Sequence, residues 1–291
     1  MTMTTALTRQ FRVFRGPSAV VTTIGPNVMA LADFDGVHTG HQALLRRAVE
    51  AAAELGLPVG AATFEQRFDR RNGRSGAQAL SGLNDRLALL REAGMDYVVL
   101  FPGNPRALGV PDDVFARKIL LVVMKTQLVV VRDTGGGAAA AFGSDIQVDP
   151  IHRMGAGTGV SATRIRDRLG LGDIETVTAL LGRRYQVTAT ARAGEGRSVA
   201  ATVSASRMMP PAGDYAALVE YTSSGTDRAV PTTVTVAPAE SGRPGLLHLE
   251  VDDRVDHGRL RIGFERRVND LARAAGPRSV RRAVAPGTDR T

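Results

Sequence analysis

The chain reads as an α/β protein: a parallel-sheet domain followed by a small all-β barrel. Three observations predict this. Short apolar runs alternate with helical stripes through the first 182 residues, which implies right-handed βαβ units. From residue 184 onward the texture changes to alternating segments (YQVTATA, AATVSAS, YAALVEY, TTVTVAP, LLHLEVD, RLRIGF) separated by turn residues. A length of 291 residues suits two domains.

The elements follow in order. Residues 28–34 (VMALADF) predict a buried strand. Residues 40–55 predict a helix with His41, Leu45, Ala48, Ala52 and Leu55 on one stripe, stopped by Gly56 and Pro58. Residues 59–64 (VGAATF) are a second strand, and the polar, Gly-rich residues 69–79 a loop. Residues 83–93 are helical, 97–101 a third strand, 112–124 helical, and 127–131 (QLVVV) a fourth strand. Residues 134–143 form a small-residue loop. Residues 161–169 and 173–181 are short helices. A closing helix is expected at 269–275. The domain expectation is a flexible N-terminus at 1–18, an α/β domain at 19–182, a β barrel at 183–275 and a disordered basic tail at 276–291.

Composition excludes several classes. Apolar residues make 43% and charged residues 23%, an ordinary globular balance. No apolar run approaches the roughly 18 to 20 residues of a membrane span. Residues 1–18 lack the apolar segment of a secretory signal, so a cytoplasmic protein is expected. The absence of cysteine excludes disulfides, thiolate metal sites and a cysteine nucleophile. The net charge is +8, and apart from Lys118 and Lys125 the cations are arginine. Arginine forks suit phosphate, although codon bias gives the same skew. Aromatics are only 4% and Trp is absent, which argues against a single-strand nucleic-acid binder. No membrane or nucleic-acid partner is expected; the oligomeric state is left open.

The strongest chemical signal is residues 33–41, DFDGVHTGH, at a strand–turn–helix junction. Gly36 and Gly40 permit a tight turn and close backbone approach. A helix N-terminus offers free N–H groups and partial positive charge to an anion. His38 and His41 lie three apart, so both imidazoles can face one phosphate and stabilise a crowded phosphoryl transition state. The same pair could instead cap or pack. A zinc pair lacks a third ligand nearby, so no metal site is assigned. Residues 160–166, VSATRIR, place hydroxyls and arginines at a helix start, a second phosphate-binding arrangement.

The segment 32–42, ADFDGVHTGHQ, resembles the "GNFDGVHxGHQ" form of the HxGH nucleotidyltransferase signature found in bacterial bifunctional riboflavin kinase/FAD synthetases. VSATRIR resembles that family's "ISSTRIR". Thr63-Phe64-Glu65 resembles its "TFEPHP" start, and residues 173–185 resemble "GDVE.A..LLGRPY" at the junction of its two domains. The likeness is good over about residues 20–192. It implies a Rossmann-like nucleotidyltransferase domain followed by a riboflavin-kinase-like barrel. It also implies transfer of AMP from ATP to a phosphorylated acceptor, FMN in the family, with Mg2+ required and pyrophosphate released. His38, His41 and Arg166 would be catalytic. Asp33, Phe34, Gly36, Gly40, Ser161, Thr163 and Arg164 would bind nucleotide. Thr63, Glu65 and Asp133 would bind the acceptor.

The departures are as informative. Asp33 replaces the family's Asn and Ala162 its second Ser, and the aromatics of the loop after Asp133 are gone. In the barrel the "PTAN" core is missing. Leu247 stands before His248 where the family's catalytic Glu belongs, with Glu250 two residues on. Loss of riboflavin kinase activity is expected, with His248 merely a barrel residue. Two alternatives stand beside the leading one: a transferase recruited to a non-flavin acceptor or to CTP, and an inactive flavin- or nucleotide-binding regulator.

Overall fold

The structure is a computed structural model and describes residues 10–16, 24–65, 78–102, 115–132, 147–151, 159–192, 198–223, 226–239, 243–251 and 258–268. Strands β1 (Arg12–Arg15), β2 (Asn27–Leu31), β3 (Val59–Phe64), β4 (Tyr97–Phe101), β5 (Thr126–Arg132) and β6 (Gln147–Ile151) form one sheet in the order β1-β4-β3-β2-β5-β6. Every neighbouring pair in it is parallel. Strands β2 to β4 are buried almost throughout, as a sheet covered on both faces requires.

Helices α1 (Thr39–Leu55) and α2 (Leu83–Glu92) belong to one face, where Leu44, Leu45, Ala48 and Leu90 pack on Val28, Ala61 and Val98. The opposite face meets α3 (Phe115–Val123), a π-helical segment, through Leu120 with Met29 and Val129. The chain passes from β2 to β3 to β4 on one side, then returns to place β5 on the other side of β2. The strand order therefore reverses between β2 and β5. In open α/β sheets that switch point, at the carboxyl ends of the strands, is where ligands bind.

The sheet is tight enough to dictate single residues. A Cβ on Gly60 would lie 2.3 Å from the ring of Tyr97, which is 1% exposed on the adjacent strand. Gly60→Ala is expected to cost about 1–3 kcal/mol by overpacking. Thermal unfolding would register it, and an unchanged Tm would mean the ring can shift.

Beyond the sheet, α4 (Ala162–Gly170) and α5 (Ile174–Leu181) lead into β7 (Tyr185–Arg192), β8 (Ser198–Val203), β9 (Gly213–Ser223), β10 (Thr226–Val236), β11 (Gly245–Glu250) and β12 (Arg259–Arg267). These six close into an antiparallel barrel ordered β10-β11-β8-β7-β12-β9. Alternation places Val187, Ala201, Val219, Val234, Leu247 and Ile262 inside.

Two expectations need correction. Within the expected flexible N-terminus, Arg12–Arg15 form β1, which pairs with β4, and Phe14 packs edge-on against Tyr97 at 5.9 Å. With its mostly exposed four residues, β1 shows no periodic signal in the sequence. Second, α4 and α5 lie on the transferase side of the expected boundary at 182, yet Ile165, Leu169, Ile174, Val177 and Leu181 share the barrel's core. Their apolar stripes face Tyr185 and its neighbours rather than the sheet. The expected loop at 134–143, the helix at 269–275 and the tail at 276–291 fall outside the described residues, as does most of the expected loop at 69–79.

Candidate active site

The site begins where β2 ends. Residues Asp35–Val37 form a single 3-10 turn, and α1 starts two residues later. The turn is unusual: Phe34 (φ 49°) and Val37 (φ 37°) sit in the left-handed region beside Gly36 (φ 76°). For a β-branched valine this costs about 1–3 kcal/mol and persists only when surroundings impose it. Here they do. Arg183 donates to the carbonyls of Gly36 (2.6 Å) and Val37 (3.1 Å), and Gln42 Nε2 donates to Val37 O at 3.0 Å. The Gly36 amide donates to Ser81 Oγ at 2.8 Å. The Asp35 carboxylate is 2% exposed for the whole residue and accepts from the amides of Leu80 (3.0 Å) and Ser81 (3.1 Å).

His38 caps α1. Its Nδ1 accepts from the backbone amide of His41 at 3.3 Å, which leaves Nε2 as the proton-bearing nitrogen. Its ring stacks on that of His41, with centroids 3.7 Å apart and planes 13° apart. The His41 ring meets Phe34 edge-on at 5.2 Å. Gly40 makes this possible, because a Cβ there would stand 3.2 Å from His38 Nδ1. Two like-charged imidazoliums could not stack so. Burial, with the Arg132 guanidinium, lowers His38 to about 4, against a partial opposing effect of Asp35. Burial, then His38, Arg132 and Arg86, holds His41 well below its ordinary value. Both rings are therefore neutral hydrogen-bond donors at pH 7.

A pH prediction follows. His38 is neutral in the folded protein down to about pH 4 but protonates near 6.5 once unfolded. The unfolded state thus binds more protons between those values, so stability falls as pH drops from about 6.5 toward 4. His38 alone would account for about 3 kcal/mol of that loss. His38→Asn keeps a good helix cap and removes the titration. Its Tm at pH 7 should fall by only a few degrees, from loss of the stack on His41, while the acid-side fall of Tm becomes shallower. An unchanged pH profile would contradict the assignment.

The remaining expected residues distribute as follows. Ser161 caps α4, its Oγ accepting from the Arg164 amide at 3.2 Å. Thr163 is exposed and Arg164 half-buried in the first turn of that helix. Its start lies beside the histidine turn: a Cβ on Gly40 would stand 3.9 Å from Val160 O, which also accepts from Arg132 Nη1 at 3.0 Å. Arg166, expected among the catalytic groups, is ion-paired to Asp35 and donates to Gln78 O at 3.0 Å. That gives it a positioning contact. Thr63 is wholly buried and donates to Asp33 O at 2.9 Å, so as placed it supports the loop rather than facing an acceptor. Glu65 is ion-paired with Arg15 of β1. Asp33 is exposed at the end of the β2 segment, and Asp133 lies outside the described residues.

Sequence reasoning assigned no role to four groups. Asp35 and Arg183 act through partners 45 and 147 positions away, which no local pattern reveals. Arg86 is 4% exposed and holds the carbonyls of Asp33 and Phe64, each at 2.9 Å, at the ends of β2 and β3. Arg132 closes β5 at the switch point. Its place immediately after the apolar run 127–131 was the available signal. A cavity of about 540 Å3 between α2 and the barrel is lined by residues such as Asp85, Glu220 and Arg261, and neither histidine borders it.

Paired neutral imidazoles at a helix N-terminus, at the switch point of a parallel sheet and close to Arg132 and Arg86, define an α/β enzyme of the nucleotidyltransferase class. The FAD synthetase family matches residues 22–168, half of the chain, and the chain belongs to that family. A bifunctional riboflavin kinase/FMN adenylyltransferase of Pseudomonas fluorescens is 28% identical, covering 88% of this chain and 89% of its own. The Escherichia coli K12 protein of the same name is 28% identical over 59% of this chain and 60% of its own. In structure, a Streptococcus pneumoniae protein described as a macrolide-efflux protein superposes with a TM-score of 0.73 at 18% identity. It covers 89% of this chain and 91% of its own, and shares the two-domain fold. No helix among the described residues is long and apolar enough to cross a membrane.

Proposed function

We propose that the chain is a cytoplasmic FMN adenylyltransferase whose riboflavin kinase activity has been lost. The observation that carries the proposal is the stacked, neutral His38–His41 pair at the start of α1. An oxygen of the FMN phosphate attacks the α-phosphorus of ATP. The new P–O bond forms as the bond to the β-phosphate bridging oxygen breaks, and pyrophosphate leaves with that electron pair. Neutral N–H donors match this reaction, since they stabilise the gathering negative charge without giving up a proton. Removing one donor of this kind typically costs about 10²–10³-fold in rate. The α1 N-terminus and Arg132 add positive potential at the same place. The start of α4, with Thr163 and Arg164, is the reading's site for the rest of the triphosphate.

Among the described residues no cluster of three carboxylates or histidines could hold a metal ion. Mg2+ is usually carried on substrate phosphates with one or two protein carboxylates. Asp33, exposed at the end of the β2 segment, is the candidate carboxylate ligand. When bound, Mg2+ would supply charge neutralisation to the leaving pyrophosphate. Both relatives described above carry FMN adenylyltransferase in their names, which supports ATP and gives CTP no support.

Kinase loss rests on β11. His248 and Glu250 both lie exposed on its outer side, and Leu247 before His248 is buried in the barrel. A changed acceptor is the second reading, favoured because Thr63 and Glu65 are already engaged by Asp33 and Arg15. The test incubates the protein with Mg2+ and ATP, alone, with FMN and with riboflavin, and measures pyrophosphate and product mass. FAD from FMN and nothing from riboflavin supports the proposal. FMN formed from riboflavin refutes the kinase claim. Turnover only with another phosphorylated acceptor supports the second reading, and nucleotide binding without any turnover indicates an inactive regulator.

A further inference from the structure

The strap at residues 78–82, between β3 and α2, belongs to two structures at once. On one side it holds the catalytic turn. Leu80 and Ser81 donate their amides to Asp35, Ser81 Oγ accepts from the Gly36 amide, and Gln78 O accepts from Arg166 Nε. On the other side it is paired with residues 204–208, the connection between β8 and β9 of the barrel. The Ala79 amide donates to Ser206 O at 2.7 Å, and the Met208 amide donates to Ala79 O at 2.9 Å. Between these two bonds Arg207, 6% exposed, turns back and ion-pairs with Asp85 in the first turn of α2. Its guanidinium lies close enough to Gly82 that a Cβ there would stand 3.2 Å from Nη2. Thr188 of β7 donates to the same Asp85 at 3.3 Å, and Tyr185 at the start of β7 donates to Met208 O. The turn at Asp35 and Gly36, the strap and the barrel are thus successive layers of one hydrogen-bonded stack.

We propose that the 204–208 segment is a positioning element of the transferase site, with Arg207 its anchor. The barrel then has a use independent of kinase chemistry: it fixes the strap that fixes Asp35, Gly36 and the start of α1. This rests on the adenylyltransferase reading for its kinetic consequence but not for its structural one. Transition-state donors must be held closely, and small misplacements from outside the chemistry can cost up to about a hundredfold in rate. A residue acting this way changes kcat more than KM for ATP, because the triphosphate still finds the α1 and α4 termini.

The full chain is compared with Arg207→Met and Arg207→Lys. The readouts are FAD formation and amide hydrogen exchange at Gly36, Leu80 and Ser81. Arg207→Met should lower kcat by about tenfold with KM for ATP within about twofold. Exchange at the three amides should rise by about tenfold or more. Arg207→Lys should recover much of both. Should Arg207→Met fail to fold, Asp85→Asn removes the same ion pair from its more exposed partner and is held to the same outcomes. Faster exchange confined to the barrel, with kcat and the three amides unchanged, would overturn the proposal. If the wild-type chain makes no FAD, the functional reading fails on its own, and exchange at Gly36, Leu80 and Ser81 alone decides this one.

Discussion

Replacing His41 by alanine should lower FMN-dependent pyrophosphate release by about 10²–10³-fold while leaving the fold in place. The helix has little to lose. The cap bond runs from the His41 backbone amide to His38 Nδ1, so the side chain of residue 41 takes no part in it. Alanine is also the best helix former. What disappears is the ring stacked on His38 and set edge-on against Phe34, contacts together costing about 1–3 kcal/mol. A Tm shift of a few degrees with a rate loss of two or three decades would separate chemistry from stability. A rate within a factor of three of wild type would remove His41 from the mechanism.

Asp35→Asn should be the most destabilising single change at the site. The carboxylate is acceptor to two backbone amides and ion-paired with Arg166, whose side chain is 16% exposed. Asparagine offers one acceptor and turns a donor amide toward groups that are themselves donors. Breaking a buried pair by removing one partner typically costs about 3–5 kcal/mol. At about 2–4 °C per kcal/mol for a chain of this size, the midpoint should fall by roughly 10 °C. Calorimetry checks this, and a fall of under about 3 °C would mean that Arg166 and the strap find other partners. Transfer activity at a permissive temperature should also drop, since the same carboxylate holds the turn that presents His38.

Much of this architecture was legible in the sequence. Strands 59–64 and 97–101 match the observed bounds of β3 and β4, because buried parallel strands read as continuous apolar runs ended by turn residues. Helix α1 was readable from its stripe and its Gly56 stop, which adopts φ 65°. The histidine turn stood out because Gly and His cluster at a strand–helix junction. What was not legible depends on long-range partners. Arg166 looks like a phosphate ligand in VSATRIR, and only the fold shows Asp35 facing it 131 positions away. Ser161, expected to bind nucleotide, also caps α4, as serines before helices often do. Strand β1 was missed because an exposed four-residue edge carries no periodicity.

The central claim is that the neutral His38–His41 pair promotes adenylyl transfer to FMN. The most direct measurement supplies ATP labelled at its α-phosphorus, with Mg2+ and FMN, and follows the label by mass. The account predicts that the label passes into FAD, that the pyrophosphate is unlabelled, and that His41→Ala slows the appearance of both by about 10²–10³-fold. Label remaining in ATP, with FMN unchanged, would contradict it.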